Sequence, residues 1–499
     1  MLVDAVILGG GPAGAAAARL LASWGHTVVV LARTPARPAL AESLPPSVGK
    51  LLDRIGVRAA VDAAGFVRAT GNTVWWGTRD PRVERFGGQA TGWQVARDVF
   101  DRVMLAEAEA RGARVVRRAV VRGVRHGEGG EGSHAVDYQV GARPLSIGGR
   151  WVLDCTGRAG LIARQGWRRP DPAGRTLAVV GVWERRGGWS MLPDPTHTLV
   201  ESYDGGWAWS VPASATRRYV TVMVDPALTP VRTPDGSAGL ATIYRGELAR
   251  ATQLAELTWA GRARLTKPPF ARDASSYSSA RFGDDGVLLV GDAGSFVDPL
   301  SSFGIKKALS SAWLASVVVH TALGDEGMRG HAVELFERRE QAMAEALRRR
   351  FAELSRDAAG AQPAETDFWR TRAGTEVADD GEPDVAALRQ DPDVVAAFNN
   401  MRQRSSIALR PSAQLRRAER PTVRADRVTL EEHLVVPAFR DGVRYLRSVD
   451  LVQIVALAPD HDQVPELYAA YTRAAGPAAL PDFLGALSVL VGKRMLDLA

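Results

Sequence analysis

Cysteine, lysine and long apolar runs are what this 499-residue sequence has least of. Cys155 is its single cysteine, which excludes an internal disulfide and a thiolate zinc cluster and points to a reducing compartment. Lysine stands only at positions 50, 267, 306, 307 and 493, so 58 of the 63 basic residues are arginine. The eight histidines are scattered without a metal-ligand spacing, and no metal is expected. The net charge of +7 is spread along the chain with no basic block interleaved with aromatics, which argues against a nucleic-acid partner. No apolar run reaches about 18 residues, so no membrane span is expected. The N-terminus opens on a strand pattern rather than a signal peptide, and the expected location is cytoplasmic. With 46% hydrophobic and 24% charged residues, the chain fits an enzyme-sized globular protein.

What is present begins at once. In "LVDAVILGGGPAGAAAARLLASWGHTVVVLAR" (2–33) an apolar run, Val3 to Leu8, fits a buried parallel strand. Gly9, Gly11 and Gly14 then give G-x-G-x-x-G, followed by an alanine-rich helix to about Ser23 and a second strand, His26 to Leu31. In this context the pattern reads as a dinucleotide turn. Gly9 makes the tight turn, Gly11 lets backbone approach the pyrophosphate, and Gly14 lets the helix pack on the strand. The helix N-terminus presents free N–H groups and a positive dipole end to the phosphates. The acid expected at the end of the second strand is missing: Ala32 stands there, followed by Arg33, which becomes the candidate for the adenosine side.

Two further segments turn a dinucleotide site into an FAD site. "GVLLVGDAGSFVDPLSSFGIKKAL" (286–309) resembles the second FAD motif of aromatic-hydroxylase-like flavoproteins. The resemblance implies that Asp292 binds the ribityl chain and that Pro299 and Gly304 bracket the loop beside the flavin ring. "WVLDCTGRAG" (151–160) resembles the same family's central strand, with Asp154 and Gly157, and leaves Cys155 buried and inert. In "GWQVARDVFDRVMLAEAEARGARV" (92–115), Arg97 matches a position that in this family contacts the FAD phosphates. The helix starting near Gly304 would aim its dipole at the pyrimidine end of the flavin.

"GGWAWSVPAS" (205–214) resembles the W-x-W-x-[IV]-P box of flavin-dependent halogenases at Trp207, Trp209, Val211 and Pro212. "ESLPPSVGKLLDRIGV" (42–57) and "GFVRATGNTVWWG" (65–77) resemble that family in order and spacing. The resemblance implies a screened route to substrate lined by Trp207, Trp209 and Trp76, although strand alternation alone would let the first two merely pack a core. Those enzymes use a lysine near the W-G segment; here Ala69 stands at that position with Arg68 beside it, and arginine cannot replace the mobile proton of an amine. A chloride could still rest on the backbone N–H groups of Phe303 and Gly304. Lys306 and Lys307, in the first turn of the helix facing the flavin, are candidates to neutralise flavin charge or bind an anionic substrate; the alternative is that both face solvent. The same loop and "ESLPP" also resemble flavoproteins that mature peptidyl tryptophan into quinone cofactors.

The expected fold is α/β: a Rossmann-like FAD-binding domain of the glutathione-reductase type, with an interleaved β-sheet substrate domain and a helical C-terminal domain. The FAD-binding domain is expected over 1–350, with its substrate sheet at about 60–90 and 175–280. A linker with short helices follows over 351–427, including the loops "DAAGAQPAET" and "ADDGEPD" and an anchored helix at "DFWRTR", and the helical domain over 428–499. The expected function is an FAD-dependent monooxygenase-type oxidoreductase that uses reduced FAD and O2 on an electron-rich aromatic substrate, either a small molecule or one borne by a carrier or partner protein. A flavin-dependent halogenase and a flavoprotein hydroxylating a tryptophan of a partner protein are the alternatives. No nicotinamide-binding βαβ unit is visible beside the first, so a flavin reductase partner is expected, with direct NAD(P)H use left open. No side chain declares itself an acid or base.

Overall fold

The computed structural model describes residues 2–34, 38–127, 133–172, 174–190, 192–229, 239–260, 262–301, 303–361, 367–374 and 388–498. It divides into two compact units, Met1–Val377 and Ala378–Ala499. The linker loop at 357–366 lies partly, and the one at 378–384 wholly, outside the described residues.

The first unit is organised by a sheet whose central strand is Leu2–Leu8. It pairs in parallel with Arg143–Asp154 on one side and Val28–Ala32 on the other. Ala5 to Leu8 have no exposed surface, the signature of a strand covered on both faces. Leu8, Asp154 and Leu289 lie in register across three parallel strands. The loops that follow them, at Gly9, Cys155 and Gly291, therefore emerge together at the carboxyl edge, where open α/β sheets bind ligands. Helix Pro12–Ser23 begins with proline and lines the sheet with Ala15 to Ala18, none exposed.

A second, largely antiparallel sheet is built from Gly71–Trp75, Arg82–Arg85 and strands between Leu177 and Asp273. Its two faces carry separate cores. Ala178, Met223 and Trp207 are lateral neighbours on one face. Val179, Val222 and Ala208 lie on the other, under Tyr244 and Leu248 of helix Gly239–Arg250. Helix Gly304–Gly324 returns against Pro12–Ser23, and helix Arg329–Ala361 packs on it. This last helix runs past residue 350 into the stretch read as linker, so Asp357 to Ala361 are its final turn. Helix Asp367–Ala373 follows, with Phe368 and Trp369 fully buried.

The second unit has helices Pro392–Arg402, Leu451–Leu457, Val464–Ala475 and Leu480–Gly492 around a core that includes Ile454, Leu467, Phe483 and Leu490. It also contains an antiparallel sheet, Arg416–Arg424, Arg427–Val436 and Phe439–Val443, where the sequence reading had linker and helices only. The reason is polarity: the hairpin carries charge along both strands, paired as Arg417 with Glu432 and Arg424 with Glu431, so the apolar alternation that marks a half-buried strand is absent. Among the described residues no single helix is long and apolar enough to cross a membrane, and no group of three or more His, Cys, Asp or Glu is placed to hold a metal.

Candidate functional site

The first glycine turn has the shape a pyrophosphate needs. Gly9 sits at φ +106°, and a Cβ there would lie 2.5 Å from the Cys155 carbonyl oxygen. A Cβ on Gly14 would meet the Gly9 carbonyl oxygen at 1.9 Å, so only glycine lets the helix sit this close. Gly11 is different: the nearest atoms to its hypothetical Cβ are Arg97 Nη2 at 3.9 Å and Asp101 Oδ2 at 4.0 Å. Gly11 caps helix Pro12–Ser23 with no side-chain hydrogen bond and no acid in the first turn, which leaves the N–H groups for an anion.

Arg97 opens helix Arg97–Ala110 and is held by two carboxylates. Its Nη1 donates to Glu42 at 2.5 Å and its Nε to Asp101 at 2.9 Å. Burial disfavours its charge, but these two acids outweigh burial and hold the guanidinium above its ordinary value. Glu42 also reaches the other end of the site: its Oε2 lies 3.6 Å from where a Cβ of Gly304 would be. A phosphate approaching Gly11 thus meets Arg97 together with Glu42 and Asp101, a cluster of net negative formal charge. Arg33 is exposed, directly after strand Val28–Ala32.

The second FAD segment turns at Gly291, φ +64°, whose N–H donates to Ser311 at 2.9 Å. Asp292 follows, its backbone carbonyl accepting the Tyr277 hydroxyl at 2.5 Å. Its carboxylate is 3.3 Å from Lys307 Nζ, which also donates to the Ser295 carbonyl. Lys307 is only 4% exposed, so it neither faces solvent nor lies open at the helix N-terminus: it points inward and is already engaged. Behind it, Glu340 of helix Arg329–Ala361 has its carboxyl pushed up to about 7 by burial, offset in part by Lys307 and the Ser311 hydroxyl. Lys306 stays at the surface turn, 4.7 Å from the ring centroid of Phe303. Pro299 begins the short turn Pro299–Ser301, and helix Gly304–Gly324 starts beyond Phe303.

On strand Gly206–Pro212, Trp207 and Trp209 share a face and stack at 4.7 Å between centroids, 24° from parallel. Trp207 is 1% exposed. It belongs to a cluster with Met223, Phe368 and Trp369, against which Trp76, Trp209, Phe296 and Leu300 pack. Trp76 meets Trp369 edge to face at 5.2 Å. The Trp369 indole N–H donates to the Tyr203 carbonyl at 2.7 Å, and Arg372 of the same short helix bonds Asp225 and Thr176. The aromatic wall is therefore completed by a helix from far along the chain, the one at "DFWRTR". Ala69 is fully buried, whereas Arg68 turns outward to Asp62 and Thr91.

Sequence reasoning had left Glu42, Asp101, Asp298, Glu340 and Arg158 unassigned. Glu42 and Asp298 stand inside the quoted "ESLPP" and "DPLSSFG" segments, where an acid beside a cofactor loop was the available signal. Arg158, in the turn Gly157–Ala159, lies 3.8 Å from the Phe296 ring centroid and 3.5 Å from Asp273. Cys155 is buried, and burial pushes its thiol well above the ordinary value.

The glycine turn, the open side of Gly11 and the Asp292 segment are together a cradle that an FAD would fill. Residues 2–347 match the FAD binding domain family. A tryptophan 2-halogenase of Chondromyces crocatus is 29% identical over 347 residues, 67% of this chain and 64% of that protein, so the chain spans just under two thirds of that relative's length. The solved structure of the flavin-dependent halogenase CmlS superposes with a TM-score of 0.81 at 22% identity, over 100% of this chain and 96% of that one. Peptidyl tryptophan dihydroxylase QhpG, essential for tryptophylquinone cofactor biogenesis, superposes with a TM-score of 0.68 at 23% identity, over 98% and 99%. The two superpositions establish the fold. With its glycine turn, its Asp292 segment and a family match over most of its length, the chain belongs to the FAD binding domain family and takes FAD as its cofactor.

Proposed function

We propose that the protein is an FAD-dependent monooxygenase-type oxidoreductase that uses reduced FAD and O2 to oxygenate an electron-rich aromatic substrate. The observation that carries this reading is that one loop serves two surfaces. The segment Asp298–Gly304 borders the FAD cradle at Gly304 and, through Leu300, joins the aromatic cluster around Trp207. When bound and reduced, FAD supplies the electrons that activate O2. In this reading Gly9, Gly11, Gly14, Asp292 and Arg97 hold it, with Arg33 on the adenosine side. Pro299, Phe303 and Gly304 border its ring, with Lys306 and Lys307 behind. Trp207, Trp209 and Trp76 orient the substrate ring and, with Phe368 and Trp369, keep water from the reacting atoms. A flavin reductase supplies the reducing equivalents, and the enzyme works in the cytoplasm.

Oxygenation is favoured over halogenation by the fate of the amines and of Arg68. The position of the halogenase lysine is a buried alanine, Arg68 points away to Asp62, and Lys307 is committed to Asp292 and Ser295. The test is mass spectrometry of products from an indole and phenol panel incubated with reduced FAD, O2 and bromide. Oxygenated products without bromine are expected; brominated products would overturn the assignment in favour of a halogenase. A tryptophan side chain of a partner protein, or a carrier-bound ring, is the second reading, favoured by likeness to the dihydroxylase along nearly the whole chain. It predicts co-purification with the product of a neighbouring gene.

A further inference from the structure

Asp298 is a buried acid of the ring-side loop that has no part in the FAD-holding set named above. It precedes Pro299 in the ring-side loop and is 2% exposed. Phe296 and Leu300, two residues to either side, both pack on the aromatic cluster, so the carboxyl sits where that cluster meets the FAD cradle. One of its oxygens accepts the Leu300 backbone N–H at 3.2 Å. The other, Oδ2, has no hydrogen-bond partner among the described residues. The Trp207 indole N–H faces it and is likewise unpartnered, short of hydrogen-bond geometry but near enough to favour the carboxylate.

Two cations lie near, and neither is free to neutralise it. Arg372 is shared with Asp225, Thr176 and the Arg175 carbonyl, and also feels Asp171. Arg158 donates to the Ser275 carbonyl and pairs with Asp273. Burial outweighs the pull of Arg372, the Leu300 N–H, Trp207 and Arg158, and pushes the carboxyl up to about 7. A buried acceptor left without a donor costs free energy, so a native site that keeps one calls for a reason.

We propose that Asp298 is the proton acceptor of the substrate site, its Oδ2 taking first the hydrogen bond and then the proton of a ring O–H or N–H. This rests on the oxygenation reading and narrows its substrates to phenols and N–H heteroaromatics. The step is proton transfer alone. The substrate O–H or N–H bond breaks, its electron pair stays on the ring and enriches the carbon to be oxygenated, and a new O–H bond forms on Oδ2. A carboxylate here accepts that proton most readily as the ring is attacked, because attack at the ring carbon acidifies the O–H or N–H.

The test uses the FAD-loaded full chain with two probe pairs, p-cresol against 4-methylanisole and indole against 1-methylindole. Binding of p-cresol or indole should strengthen roughly tenfold as pH rises through the titration of Asp298, since the ionised acceptor makes the stronger bond. Binding of the methylated partners should be flat. In Asp298→Asn the dependence should vanish, and the infrared band of a protonated carboxyl that titrates in the wild type should be missing. Equal behaviour of donor and methylated probes, no binding of either donor, or a pH dependence that survives in Asp298→Asn would overturn the proposal. If Asp298→Asn does not fold, the wild-type probe pairs and infrared titration decide alone. Donor-selective binding without any oxygenated product would sink the oxygenation reading but not the contact. Oxygenation with an unchanged pH profile in Asp298→Asn would do the reverse.

Discussion

Replacing Glu340 by glutamine should remove the fall in stability that its buried carboxyl is expected to impose as pH rises toward neutrality. Glu340 is 5% exposed, and burial moves its carboxyl from 4.5 to about 7 despite Lys307 and Ser311. Below 4.5 the group is protonated whether the chain is folded or not. Between 4.5 and about 7 the folded protein holds a proton that the unfolded chain has released, so stability decreases through this window and levels off above it. The full effect is roughly 3 kcal/mol, a sizeable fraction of a domain's stability. Glutamine has no proton to lose, so its contribution is constant with pH. The assay is urea unfolding of the FAD-free protein at a series of pH values, followed by tryptophan emission. All 13 tryptophans lie in the unit Met1–Val377 that contains Glu340, so the signal reports that unit alone. The variant should match the wild type in pH dependence at the acid end and gain on it by roughly 3 kcal/mol above neutrality. Parallel profiles across the range would refute the reasoning.

Two other substitutions test the cofactor side. Gly14→Ala places a methyl 1.9 Å from the Gly9 carbonyl oxygen, forcing the helix off the strand. Purified protein should lose its bound flavin and melt lower by the equivalent of about 1–3 kcal/mol; a yellow, equally stable variant would contradict the packing described. Lys307→Met leaves Asp292 and the Ser295 carbonyl without their cation and should destabilise by about 3–5 kcal/mol in denaturant titration. Lys306→Met removes only a ring contact and should stay within about 1 kcal/mol. Equal effects of the two would refute the inward placement of Lys307.

What the sequence made legible was whatever physics confines to a few neighbouring residues. The Gly9–Gly14 turn is such a case, because steric tolerance for backbone approach is decided within one turn of chain. So is the alternation that puts Trp207 and Trp209 on one face. Pairings between distant segments stayed hidden. Arg97 finds Glu42 across 55 positions, and Trp76 meets Trp369 only because a helix near the end of the first unit folds back. Lys307 was read from helix geometry as facing the flavin; its side chain instead follows the stronger attraction of Asp292 and Ser295 beneath it. The hairpin Arg416–Val436 was missed because strands bearing charge on both faces look like loop.

The position of Cys155 makes the protein its own clock. The thiol is the only one in the chain, it is buried, and its backbone oxygen lies against the Gly9 turn. A thiol reagent can reach it only when the layer under that turn opens. Its labelling rate therefore times a local breathing motion of the nucleotide cradle, free of any competing site, and a molecule seated on the turn should slow it in proportion to the grip it exerts.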